Sequence, residues 1–254
     1  VMIMKMMFLR NIKQNRTISE YCWTLTPLAP KIVFKKSVNL QRVTYVDADM
    51  FFFNSSDIVF KEFEDSKKSI MITEHDFDQD HYHKEKKSGK YIVQFLIFNK
   101  DNSENVINWW EKKCIESCSA EKTSSSLIGD QGYLNDWHIR FNNQVHVLKN
   151  NNAFRSTWSA KKLEKDKLIA WHFHGLRVIN NKMILMHTEK VLSEKIINEI
   201  YISYLQNLKK NLDELNIKIN QLKSSKNIIM KILSNINFFL IEKKIIKNKR
   251  YFIF

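Results

Sequence analysis

Apolar residues along this chain fall into runs and stripes separated by polar punctuation, and each spacing predicts an element. Residues 42–46 are apolar and β-branched, run into Asp47-Ala48-Asp49, and reopen as Met50 and three phenylalanines. The stretch reads as a buried interior strand whose carboxyl end carries two acids. A second run covers 69–74, and a third, 91–99, is apolar enough to be buried on both faces, with Gln94 as its sole interior polar residue. Between the strands the period turns helical. Thr17 and Ser19 stand as caps before a mixed aromatic run that ends near Pro27 and Pro30, residues 58–63 suit a short helix or strand, and Val106, Ile107, Trp110, Cys114 and Ile115 mark an amphipathic helix over 103–118. Short strands are predicted at 145–148 and within 166–177. From residue 201 the series Leu205, Leu208, Leu212, Leu215, Ile219, Leu222 alternates steps of three and four, which predicts a long helix that packs on its own chain or self-associates as a coiled coil.

Strands alternating with helices over 31–177 predict an α/β domain with a mostly parallel central sheet, assigned to residues 1–190, followed by a helical, basic tail at 191–254. Such sheets bind ligands beyond the carboxyl ends of their strands, where the polar clusters of this chain fall. Asp47 and Asp49 lie two apart, so in an extended segment they face one way and can share a divalent cation; hard oxygen ligands favour Mg or Mn. A bare Asp-x-Asp also reads as a solvated strand-end turn. Asp130 and Gln131 are bracketed by Gly129 and Gly132, and His172, Gly175 and Arg177 meet where the last strand enters a loop. His75, His81 and His83 amid acids and lysines offer a second metal reading, set against a solvated loop over 76–90. A cation held by two Asp and a His, with Arg and Gly beside it, is chemistry for a diphosphate.

Composition sharpens this in two respects. Among 254 residues, 41 basic against 27 acidic side chains give a formal net charge of +14, which calls for an anionic partner: phosphate groups, acidic lipid or nucleic acid. The basic residues of 226–250, interleaved with Phe238, Phe239, Leu240, Tyr251 and Phe252, suit an anionic membrane surface, and 228–241 is too short and interrupted to cross one. Three cysteines argue against a disulfide framework. The apolar start at 1–9 lacks the features of a signal peptide, so a cytoplasmic protein, peripheral on the cytoplasmic face of a membrane, is expected.

In order and spacing these motifs resemble the nucleotide-sugar glycosyltransferases of the GT-A fold, most closely the retaining family 8 that includes glycogenin and bacterial lipopolysaccharide sugar transferases. Residues 43–53 resemble its strand with Asp-x-Asp, Asp130-Gln131-Gly132-Tyr133-Leu134-Asn135 its Asp-Gln-x-x-Leu-Asn, and His172-Phe173-His174-Gly175 its His-Phe-x-Gly. The resemblance implies Mn or Mg on Asp47, Asp49 and His172, bridging the two phosphates of a nucleotide-sugar donor. Asp130 would then hold donor-sugar hydroxyls, Gln131 would sit near the anomeric carbon, and Gly175 and Arg177 would serve the phosphates. It also implies a glycan or lipid-linked acceptor and argues against nucleic acid as partner; a degenerate transferase domain serving as a scaffold is the alternative. The family's Lys-Pro-Trp after His-Phe-x-Gly is absent, since Val178 follows Arg177. The family's first nucleoside-binding strand has no counterpart ahead of residue 16, so an N-terminally truncated GT-A fold is expected.

Overall fold

A computed structural model of the protein describes residues 11–121, 128–180, 183–188, 191–215 and 251–253; these divide into two units, the first ending at His172 and the second starting at Phe173. The first helix, α1 (Ile18–Leu25), is opened by a capping box. The Thr17 hydroxyl accepts from the Glu20 N–H while the Glu20 carboxylate accepts from the Thr17 N–H at 2.9 Å. The backbone N–H of Ala120 also donates to Glu20, and these donors hold its carboxyl down to about 2. The helix ends beside the prolines, as expected, and the same prolines start the next one. Pro27 is the cap of α2 (Leu28–Lys36), and Pro30 sits in its first turn, where a missing N–H leaves no bond unmade.

The first unit continues through β1 (Arg42–Val46), β2 (Met50–Phe52), α3 (Asp57–Ser66), β3 (Ile70–Glu74), β4 (Tyr91–Asn99), α4 (Glu104–Glu116), β5 (Val145–Val147), β6 (Phe154–Ser156) and β7 (Ala170–His172). One sheet has the order β1-β4-β3-β5 and a smaller one β2-β7-β6. The interior strand is β4. Seven of its nine residues are buried apolar side chains. One face carries Val106, Ile107, Trp110 and Cys114 of α4 against Tyr91, Val93, Leu96 and Phe98; the other carries Val59 and Phe63 of α3 against Phe95 and Ile97. Arg16 donates to the carbonyls of Cys114 and Ile115, both at 2.7 Å, closing the last turn of α4.

Two expectations are corrected. The single buried strand over 42–53 is two short strands in two sheets. A turn through Asp47-Ala48-Asp49, with the Met50 N–H donating to the Asp47 carbonyl at 3.2 Å, separates them, and β1 is half-buried at a sheet edge among the described residues. The class is α/β, but the sheet is mixed rather than mostly parallel. β4 runs antiparallel to both β1 and β3, and only the β3·β5 and β6·β7 pairings among the described residues are parallel. A parallel neighbour needs a crossover element; residues 75–90 form only a 3-10 helix (Gln79–Lys84) and one α-turn (Glu85–Ser88), and the chain returns as β4, antiparallel to β3.

In the second unit, β8 (Arg177–Asn180) and β9 (Met183–Leu185) pair antiparallel. Ser193 caps a helical turn (Glu194–Ile196) that passes through a π-helical turn (Ile197–Tyr201) into α5 (Ile202–Glu214). Phe173 stacks on Tyr204 at 4.0 Å and meets the edge of Tyr201 at 4.9 Å. Leu205 is buried and Leu208 and Leu212 are half-buried, so the start of the leucine stripe is covered by its own chain. The stripe beyond Leu215 and the basic stretch to residue 250 lie outside the described residues. The backbone of β10 (Tyr251–Ile253) pairs with β9. No helix of the described residues is long and apolar enough to cross a membrane.

Candidate metal centre

Chain geometry at the end of β1 sets the site. The Asp47 N–H donates to the Gln94 carbonyl at 3.0 Å, which carries the β1·β4 pairing one residue past the strand. The turn then reverses the chain into β2, whose Met50 is paired with His172 of β7. The turn acids and the last residue of the first unit are thereby brought together. His172 Nε2 lies 3.0 Å from an Asp49 oxygen and 3.8 Å from an Asp47 oxygen, and one ligand atom from each residue falls within 4.8 Å of the others. The three predicted ligands are therefore neighbours. What joins them is a turn and a partner strand, not the alternation of an extended segment.

Asp47 and His172 are fixed from behind. The Tyr45 hydroxyl donates to Asp47 Oδ1 at 2.9 Å, leaving Oδ2 toward His172. His172 is buried, its ring perpendicular to Trp158 with centroids 5.5 Å apart, and its Nδ1 is 3.1 Å from Gln94 Oε1. Burial pushes the Asp47 carboxyl up to about 6, against the opposing pull of His172 and the Tyr45 hydroxyl, and Asp49 adds to the rise. Burial and the neighbouring Asp47 raise Tyr45 as well.

Asp130 lies behind this group. It is buried, and burial pushes its carboxyl up to about 7; the Thr26 hydroxyl and the backbone N–H groups of Asp130 and Gln131 oppose that rise, while Asp47 adds to it. The Thr26 hydroxyl opposes the rise of Tyr45. Tyr45, Asp47 and His172 thus stand in sequence, with Thr26 and Asp130 acting on them electrostatically. Gln131 opens a 3-10 helix (Gln131–Asp136), and its amide nitrogen donates to the Ser88 carbonyl at 2.9 Å. Asn135 of the same helix accepts from the Lys90 N–H at 2.9 Å. Between those contacts Gly89 has φ +88°, and a Cβ there would lie 2.6 Å from the Asn135 side chain, so glycine is required. The Gln131 amide is tethered by its nitrogen and keeps its oxygen as acceptor.

Gly175 and Arg177 belong to the second unit. Gly175 has φ +84°, and a Cβ would come within 3.1 Å of His187 and Thr188; the exposed Arg177 donates to the Leu176 carbonyl at 2.6 Å. The alternative histidines do not gather: among the described residues, Asp47, Asp49 and His172 are the group able to hold a metal. His75 stacks on Phe77 with centroids 4.6 Å apart, and His75, Phe77 and Asp78 are buried, so the expected solvated loop begins inside the protein. A separate cleft of about 350 Å³, lined by Lys61, Glu62, His146 and Lys149 among others, contains none of the predicted residues. Sequence reasoning missed Tyr45, Thr26 and Gln94; only Gln94 left a signal, as the polar exception in an apolar strand.

The donor set fits a hard divalent cation. Two carboxylate oxygens and one imidazole nitrogen suit Mg or Mn, and adjacent ligands of an octahedral ion at about 2.1 Å stand roughly 3 Å apart, opposite ones about 4.2 Å. The 3.0 and 3.8 Å separations lie in that range. With Nδ1–H donated to Gln94, Nε2 faces two carboxylates, whose mutual repulsion is relieved by a shared cation or by a proton on Nε2.

No protein-family model matches the chain. It is similar to two Bacillus subtilis (strain 168) proteins, both named only as uncharacterized. It is 29% identical to YfnD over 217 residues (80% of this chain and 69% of that protein), and 26% identical to YfnF over 231 residues (84% and 75%). Among solved structures it is similar to a glycosyltransferase involved in glycosylation of the major capsid of PBCV-1, at a TM-score of 0.45 and 10% identity over 63% of this chain and 73% of that one. It is also similar to mouse xyloside xylosyltransferase 1 in its apo form, at 0.39 and 15% over 61% and 64%.

Proposed function

We propose that this protein is a metal-dependent glycosyltransferase of GT-A type, moving a sugar from a nucleotide-diphosphate donor to a glycan or lipid-linked acceptor with retention, at the cytoplasmic face of a membrane. The convergence of Asp47, Asp49 and His172 around a point that suits Mn or Mg carries the reading. Bound there, the cation neutralises charge on the donor's two phosphates and on the departing nucleoside diphosphate. Asp47 and Asp49 supply anionic oxygens, and His172 supplies the Nε2 lone pair. Asp130, held close to neutral pH by burial, accepts from or donates to a donor-sugar hydroxyl. Gln131 turns its amide oxygen toward the positive charge that develops at the anomeric carbon, its nitrogen being anchored on Ser88. By the family resemblance alone, Gly175 and Arg177 of the second unit are assigned to the donor's phosphates.

The test is release of nucleoside diphosphate from a set of common sugar donors with Mn, and its arrest by a chelator. In Gln131→Ala the release rate falls by a much larger factor than donor affinity, because the amide acts mainly in the transition state. A protein that neither binds nor hydrolyses any of these donors with Mn present sinks the reading.

Metal affinity also follows pH. Protons and the cation compete for Asp47, whose carboxyl stands at about 6, so affinity for Mn is level above pH 7 and falls about tenfold per unit below pH 6. Titration of free Mn by electron paramagnetic resonance at pH 5, 6 and 8 reads this; equal affinity at pH 5 and 8 removes Asp47 from the ligand set.

A further inference from the structure

We infer that Gln94 is the positioning residue of this centre, holding His172 by its side chain and Asp47 by its main chain; the inference rests on the reading of the triad as a cation site. Gln94 is buried in the middle of β4, where every flanking position from Tyr91 to Phe98 is a buried apolar side chain. A buried amide without partners costs about 1–3 kcal/mol, and a leucine would fill the same space without that cost. The polar residue therefore needs a reason, and its two contacts supply one. Its Oε1 lies 3.1 Å from His172 Nδ1, and its backbone carbonyl accepts from the Asp47 N–H at 3.0 Å.

The strand itself is deformed at this point. Along β3·β4 the register runs Ile70 with Phe98 and Met71 with Ile97, then slips so that Thr73 meets Ile92. The slip spans 93–96, which includes Gln94, and the faces confirm it: Val93 and Leu96, three apart, lie in one cluster with Tyr91 and Phe98, while Phe95 and Ile97 lie in the other. A bulge in a central strand breaks ladder bonds, and its usual effect beside a site is to re-aim a side chain. Here the re-aimed side chain is the one that meets His172.

The chemistry then follows from the atom presented. A carbonyl oxygen can only accept, so it selects the His172 tautomer with the proton on Nδ1 and leaves the Nε2 lone pair in the ring plane toward Asp47 and Asp49. An imidazole so held is a better ligand than one free to rotate or to carry its proton on Nε2, and outer partners of this kind typically set 10–100-fold in metal affinity. Gln94 also sets the angle of the pair. The strand that fixes the imidazole by an amide fixes Asp47 through its carbonyl, so one residue spaces two ligands.

Three variants test this: Gln94→Leu, which keeps the bulk and removes the acceptor; Gln94→Met, which does the same with an unbranched chain if the leucine does not melt cooperatively; and Gln94→Glu, which keeps an acceptor at Nδ1. Mn affinity is measured on each, and the His172 tautomer is read from ring nitrogen chemical shifts in the cation-free protein. The expected result is a 10–100-fold loss of Mn affinity in Gln94→Leu or Gln94→Met together with loss of the Nδ1–H tautomer, and affinity within a few-fold of the parent in Gln94→Glu. A parent that binds Mn and an apolar variant that binds it equally well, with His172 unchanged, overturns the assignment of Gln94 alone. A parent that takes up no Mn overturns the reading of the triad on which it stands.

Discussion

Asp49→Asn lowers the affinity for Mn by more than the roughly 10–100-fold that loss of an outer partner costs, while the cation-free protein melts at the same temperature or slightly higher. The substitution keeps the shape of the side chain and exchanges an anionic oxygen for a neutral one, so the loss falls on the cation. Without a cation, two carboxylates share a small volume, and Asp49 is one of the groups that push Asp47 upward; removing one charge relieves that repulsion. Asp49 lies on a turn at the rim of the site with its side chain about half exposed, and the oxygen it sets 3.0 Å from His172 Nε2 has a counterpart in the asparagine amide oxygen. Calorimetric melting with and without Mn separates the two effects. A variant that gains as many degrees from Mn as the parent does would take Asp49 out of the site.

Asp130→Asn shows the opposite pattern, a large effect on the cation-free protein that depends on pH. The Asp130 carboxyl is raised from the ordinary value near 4 to about 7, chiefly by burial. The native state therefore holds the proton more tightly than the unfolded chain, and stability falls as pH rises from about 4 to about 7 and is level beyond. Three pH units at about 1.4 kcal/mol each make this a penalty of roughly 4 kcal/mol at pH 8. An asparagine carries no such penalty, and it can still accept from Thr26. The variant is expected to be more stable than the parent by several kcal/mol at pH 8 and about equal at pH 4.5, in urea denaturation with chelator present. A gap that does not change between those pH values would show that Asp130 ionises in the native state as freely as in water.

β4 was legible almost to the residue because nine positions of strand length with one polar exception admit few other readings, and α4 because its apolar positions keep a helical period. The three proposed ligands stood out in the sequence by their motifs, each at a strand end. The route by which they meet was not. Alternation along an extended segment placed Asp47 and Asp49 on one side, whereas the chain turns between them, and only the pairing of β2 with β7 brings His172 there. Strand direction was misjudged for a related reason: local pattern encodes burial, and the partner of a half-buried strand such as β1 is chosen by the rest of the fold. α2 was hidden by Pro27 and Pro30, which break a helix in its interior and are tolerated at its start. Gln94 was visible as an anomaly, but its function depends on a bulge and on a histidine 78 residues further along the chain.

That last separation has a kinetic side. The acids of the turn come early in the first unit and His172 is its final residue, so the site cannot exist until β1 has joined β4 and β2 has joined β7, both non-local pairings of the slow, millisecond-to-second kind. A cation added to the unfolded chain finds no preformed cage and gives little help at the start. Its effect falls after the barrier, as a slower unfolding rate with a nearly constant folding rate. With the proposed cation bound, such a protein would depend on it in the cell for lifetime more than for assembly, and its withdrawal would shorten the one without impeding the other.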